Sequence, residues 1–512
     1  MIKDERVSKS MAIKVAAIII CITIIYSLLT FNGLIDYFAP KHITQIEETI
    51  RSSYLSTERM VNQIPGFYAF GAMVKLITNI SNIGFLIYPL QIIPYLILFY
   101  TFIYKVSSSY MLASIIAFIH FTAGTTGTSQ FFFWPHGIGN ILYFTALLVF
   151  VLMMFKNNQN AEYKLLFILT GLSIVFISYN MYSFIILFLI IFTIVIGINS
   201  AKFLKIKNNI SNYKKELTTL VVILLVAQLG LSQFVYQSFI PTIMSNVEVT
   251  GLEKFIVAYF NKEPASDQLL ISGLLITYPP TIALISIVKY TIIIASITVF
   301  LWMLIQKYRT NKELNFLDQL TFSFIIVHFI YGLIRLSIGQ IPITQLYFPG
   351  ILCIIWLHRH PNWKKLATLS LLIILVLNPI YTFSMNEAAP KDNIHNTEFI
   401  KQSSNWYFQH KNNSISPVSD ELTRNLFQFY IYDSTTHFDT TSIIKSEQIA
   451  FLLQKPSIQQ NQKNYYILNY QSHSMSIQNW RIIKSWKYSE DIINSNKELN
   501  RIYNVGELSI YI

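Results

Sequence analysis

The chain has 512 residues, of which 53% are hydrophobic and only 12% charged, with a formal net charge of +12. That balance excludes a soluble multidomain protein and fits a polytopic membrane protein. The tail from Ser384 is neutral, so the whole excess falls on the first 383 residues, where it reads as membrane topology and not as nucleic-acid binding.

The first apolar run, Met11 to Thr30, matches the roughly 20 residues that cross a bilayer. No small-residue cleavage site follows, so it is expected to be a retained helix and not a removed signal. Phe31 to Ser81 is too polar to cross. It opens with one acid, Asp36, followed by Lys41 and His42, and closes with Pro65-Gly66 and a semi-apolar segment, Phe67 to Ile80, suited to the membrane interface. Between them, Ile43, Ile46 and Ile50 recur at helical spacing, which predicts an amphipathic helix with Glu47 and Glu48 in water.

Further apolar runs predict spans near 82–104, 110–123, 137–155, 163–178, 180–199, 216–235, 284–306, 317–338, 345–358 and 365–383, eleven with the first. The loops after the sixth, eighth and tenth spans carry Lys202, Lys205, Lys207, Lys214 and Lys215, then Lys307, Arg309 and Lys312, then Arg359, Lys364 and Lys365. With the basic N-terminus they fall on one side, which the positive-inside rule makes cytoplasmic. The loops at 31–81, 124–136, 236–283 and 339–344 and the tail are then expected outside. Within 236–283, GLEKFIVAYF has the pattern of a surface helix.

After Pro390 the texture becomes mixed. NTEFIKQSSNWYFQH predicts a helix capped by Asn396 or Thr397, SISPV a strand, SDELTRNLFQFYI a helix capped by Ser419, and NYYILNYQ and ELSIYI buried strands. The expected fold class is therefore mainly α, a polytopic helix bundle over 1–383 with a small extracytoplasmic α/β domain over 384–512.

No Walker loop, dinucleotide fingerprint, HExxH or CxxC is present, so soluble nucleotide chemistry has no support. Cys21 and Cys353 lie inside apolar spans and suggest neither a disulfide nor a metal ligand. The chemistry-bearing candidates gather at the outer face. Asp36 reads as a general base, a carboxylate for a divalent ion, or a solvated loop acid. In GTTGTSQFFFWPHGIGN, His136 and Gln130 could line a site or the aromatics could simply anchor the interface; His120 is a further candidate. Arg335, near the outer end of an apolar segment, reads as a phosphate contact or a snorkelling side chain. His328, two turns deeper, reads as a helix–helix hydrogen bonder.

This order of features resembles the multispanning glycosyltransferases of the GT-C fold, particularly prokaryotic ones. The residues that carry the likeness are Asp36, His42, Pro65-Gly66-Phe67-Tyr68 and Leu76-Ile77-Thr78. In the tail they are Glu398, Trp406, Pro417-Val418-Ser419-Asp420, Thr423, Arg501-Ile502-Tyr503, Gly506 and Ile510-Tyr511. The resemblance covers most of the chain as order and texture. It implies transfer of a sugar from a polyprenyl-phosphate-linked donor to an acceptor glycan, lipid or protein at the outer membrane face. Asp36 would be the catalytic base or the ligand of Mg²⁺ or Mn²⁺, and His42, His136 and Arg335 would contact substrate. Where that family often has a pair of acids, this chain has Asp36 alone, and no WWDYG-like segment implies transfer to asparagine. The alternative is a transporter or flippase for a lipid-linked glycan, which would more often show charges and broken helices at the bilayer midplane.

Overall fold

The computed structural model describes residues 2–31, 39–55, 64–87, 91–122, 135–155, 161–202, 217–227, 275–276, 280–337, 346–388, 398–412, 416–419, 426–427, 429–430, 464–469, 476–478, 481–484, 500–505 and 508–512. Among these the helices are α1 (Ile2–Phe31), α2 (Ala39–Ser52), α3 (Pro65–Thr78), α4 (Asn82–Ile87), α5 (Ile92–Ser107), α6 (Tyr110–Thr122), α7 (Pro135–Phe155), α8 (Ala161–Ile177) and α9 (Tyr179–Lys202). They continue with α10 (Leu217–Ala227) and with α11 (Pro280–Arg309), α12 (Phe316–Ser337), α13 (Tyr347–His358), α14 (Lys364–Ala388) and α15 (Glu398–His410).

Every expected span is met by an apolar helix. Five of them, in α1, α7, α11, α12 and α14, are long and apolar enough to cross a membrane unaided by further residues. Their outward faces say what surrounds them. α8 exposes Leu165, Leu166 and Leu169, and α14 exposes Leu366, Leu369, Leu372, Val376 and Ile380. Such stripes are costly in water at roughly 25 cal/mol per Å² and are cost-free against lipid chains. The chain is an integral membrane protein. α13 is the exception, buried on all sides from Tyr347 to Leu357 apart from Phe348, with Trp356 and Cys353 fully enclosed. Helices in lipid gain little from apolar burial against one another, so they associate through close fit and small residues. Gly350 of α13 shows this: a Cβ there would run into the Ile293 side chain of α11.

The run at 82–104 is described as α4 and α5, with 88–90 outside the described residues. One expectation about the first loop is revised. Glu47 is not in water. It is 7% exposed and ion-paired with Lys75 of α3, which also donates to Asn82. α3 itself buries Phe67, Tyr68, Gly71 and Ala72 while exposing Phe70, Met73, Leu76 and Ile77.

In the tail, β2 (Ser416–Ser419), β3 (Asn464–Asn469), β7 (Leu508–Tyr511) and β6 (Arg501–Val505) form one sheet in that order. β2 and β3 are parallel, the other pairs antiparallel. Ser419 is the last residue of β2; the helix it was expected to cap begins in 420–425, which lie outside the described residues. A second sheet orders β1 (Leu275–Ile276), β5 (Arg481–Lys484) and β4 (Ser476–Gln478). Leu275 pairs with Lys484 and Ile276 with Ile483, which ties these two residues to the tail. The surface helix expected at GLEKFIVAYF lies outside the described residues. α14 continues past position 384 to Ala388, and the division of the chain at that point stays an expectation.

The core is in two parts. The larger fills the bundle; the smaller joins α2 and α3 to α15 and the tail sheet through Ile43, Ile46, Phe67, Tyr68, Tyr407, Phe427 and Ile510, with Ile138 of α7 and Ile177 of α8 packed against it. The loop after α1 and the tail therefore cap the same end of the bundle.

Candidate functional site

That capped end holds the cluster of polar groups. α2 begins three residues after Asp36, and its inward face carries His42, which is 7% exposed among Ala39, Ile43 and Ile46. His42 Nδ1 shares a 2.8 Å hydrogen bond with the Tyr68 hydroxyl of α3, and its ring meets Phe67 edge-on at 5.5 Å. α3 is brought in by Gly66, whose missing side chain lets the helix start touch Phe176 of α8: a Cβ there would sit 2.7 Å from the Phe176 Cβ.

Pro135 opens α7, where its fixed φ is already helical, and His136 follows. His136 Nδ1 lies 3.4 Å from Ser178 Oγ at the break between α8 and α9. This crossing also depends on a glycine, since a Cβ at Gly139 would lie 2.5 Å from the Ser178 Cβ.

The two histidines feel each other. Burial, then the charge of Lys41, then that of His136 push the His42 pKa down to about 3. At neutral pH His42 is therefore an uncharged imidazole, able to hold a hydroxyl but carrying no cation for a phosphate.

Arg335 lies two residues before the end of α12. Asn199 near the end of α9 meets the Leu314 backbone just before α12, so the two helices run antiparallel. Phe184 near the start of α9 packs on Tyr331 and His328 of α12 with ring centroids 4.3 and 5.1 Å apart. The Arg335 backbone thus belongs to the end where α9 starts beside Ser178; its side chain lies outside the described residues, as do Asp36 and Gln130. His328 is a core residue, 8% exposed among Phe184, Phe324 and Phe348. His120 is one too, bonded to the Tyr95 hydroxyl at 2.7 Å and stacked on Phe99 at 4.1 Å.

Ser178 and the close-approach Gly139 were not singled out from the sequence, and Tyr68 only as part of the Pro65-Gly66-Phe67-Tyr68 stretch that carries the resemblance. The signal for them was the glycine pair after His136 and the break between two apolar runs at Ser178. Among the described residues no group of three His, Cys, Asp or Glu side chains could hold a metal ion. The expected ligand Asp36 is outside that set, so no step is derived through a metal.

No family model and no curated protein matches the chain. Among solved structures it is similar to the apo form of an oligosaccharyltransferase from Archaeoglobus fulgidus, with a TM-score of 0.49 and 12% sequence identity over 90% of this chain and 70% of that one.

Proposed function

We propose that the protein is a membrane glycosyltransferase that moves a sugar from a polyprenyl-phosphate-linked donor to an acceptor at the outer membrane face. The observation that carries this reading is the gathering of His42, Tyr68, His136 and Ser178 at one end of a membrane bundle. The segment bearing Asp36 leads directly into them, and the tail packs over them. The positive loops at the opposite end support an outer position for this end through the positive-inside rule.

In the proposed reaction an acceptor hydroxyl or amide attacks the anomeric carbon. The bond from that carbon to the phosphate oxygen breaks, the carrier leaves as its phosphate, and the acceptor proton passes to the Asp36 carboxylate. Arg335 meets the phosphate charge, for which a guanidinium is well shaped. His136, half-buried at the site, hydrogen-bonds the sugar. His42, neutral and tied to Tyr68, shapes the wall. Mg²⁺ or Mn²⁺ at Asp36 belongs to the proposal as the group that would neutralise developing phosphate charge.

The test follows sugar loss from a panel of polyprenyl-phosphate sugars in lipid, by wild type and by Asp36→Ala, with and without Mg²⁺ or Mn²⁺. Turnover by wild type that vanishes in a folded variant supports the reading. No turnover with any donor, alongside unchanged donor binding in the variant, moves the assignment to transport. Lys289 favours that second reading, being 1% exposed inside α11 between the rings of Tyr347 and Tyr381.

A further inference from the structure

The opposite end of the bundle has a cleft of its own. Val106 at the end of α5, Asn315, Phe316 and Leu317 at the start of α12, and Arg359 just after α13 line a space of about 280 Å³. That exceeds the roughly 30 Å³ share of one water and admits a group of several heavy atoms.

The cleft is two-natured. Val106, Phe316 and Leu317 give an apolar wall continuous with the bundle. Arg359 gives a cation that donates one bond, at 2.9 Å, to the Ser108 hydroxyl, out of the five a guanidinium offers. No carboxylate pairs with Arg359 among the described residues. Asp318, the acid on the lining helix, is fully buried and engaged by Lys307, Trp356 and the Asn315 amide. Glu313 is exposed beside Lys312.

The depth fits a lipid headgroup. The cleft lies at the ends of three helices, beside the stacked pair Tyr104 and Tyr110 that flank Ser108 in sequence. It is at the bundle end where α11 closes on Lys307, bonded to Asp318, and Tyr308. Aromatic rings of this kind mark the membrane–water interface. Basic pockets between helix ends at this level bind anionic headgroups.

We infer that this cleft holds an anionic phospholipid, with Arg359 on the phosphate and an acyl chain along Val106, Phe316 and Leu317. The site stands apart from the proposed sugar transfer and survives or fails independently of it.

The experiment is thermal unfolding of the full-length protein in detergent micelles titrated with phosphatidylglycerol, phosphatidylcholine or soluble glycerol phosphate. The expected result is a saturable rise in Tm with phosphatidylglycerol alone, its half-saturating mole fraction raised about tenfold by Arg359→Gln, the loss of one charge-assisted contact. Arg359→Lys, which keeps the charge without the fork, falls between the two. An equal rise with phosphatidylcholine, an unchanged titration in both variants, or the full effect from glycerol phosphate alone overturns the proposal.

Discussion

The two ends of the bundle solve the problem of polar groups near a membrane in opposite ways. At the end with the basic loops, Asp318 is fully buried, and its carboxylate is satisfied by the fold itself. Lys307 Nζ lies 2.9 and 3.0 Å from its two oxygens, the Trp356 indole donates at 2.6 Å, and the Asn315 amide at 2.9 Å. The Asp318 backbone N–H in turn donates to Asn315 Oδ1 at 2.9 Å, a reciprocal helix cap. At the other end, His42 of α2, kept uncharged by burial, and His136 of α7 meet hydroxyls from α3 and the α8–α9 break, and a separate core from the tail closes over them. The first arrangement is a lock whose charges cancel. The second is a set of hydrogen-bonding groups drawn from distant parts of the chain, which is what a polar substrate needs.

The sharpest way to break this contrast is at the lock. Asp318→Ala should destabilise by about 3–5 kcal/mol, because it strands Lys307 and the Trp356 indole without their acceptor. Thermal unfolding in nanodiscs reads the effect, and a loss under 1 kcal/mol would mean that water reaches this end. Next in size, Gly139→Ala should cost about 1–3 kcal/mol by pushing α7 off Ser178. It should also lower turnover more than it lowers donor affinity, since it moves His136.

The pH dependence separates the ends as well. The His42 pKa lies near 3 in the fold, below the ordinary 6.5, so between these values the unfolded chain binds the extra proton. The stabilising contribution is present above about pH 6.5 and is lost as pH falls toward 3, at up to about 1.4 kcal/mol per unit. His42→Gln should flatten that slope in stability measured against pH, and a slope that persists unchanged would place its origin elsewhere. Smallest of all, Glu47→Gln should cost about 1 kcal/mol, because Gln still offers Lys75 an oxygen and loses only the charge.

The bundle was legible in the sequence because lipid-facing and core-facing helices are both apolar, so each run announces itself by length alone. The place of Glu47 was not. The isoleucine spacing of α2 identifies one buried face correctly, but it cannot reveal that α3 brings Lys75 to the other. His42 and His136 were both candidates, yet nothing local to either says that they share one end of the bundle. That depends on Gly66 and Gly139, two close approaches visible only once helices pack. In the tail, β3 and β7 were readable from their Tyr and Ile content. β6 was not, its residues being mostly solvent-exposed.

The most direct test of the central claim measures sugar release from polyprenyl-phosphate donors in proteoliposomes by wild type and His136→Ala, with thermal unfolding to verify the fold of each. The account predicts turnover by wild type and a loss of 100-fold or roughly 2.7 kcal/mol in the variant with its Tm unchanged. Equal turnover by the two proteins would contradict it and take the chemistry away from this end of the bundle.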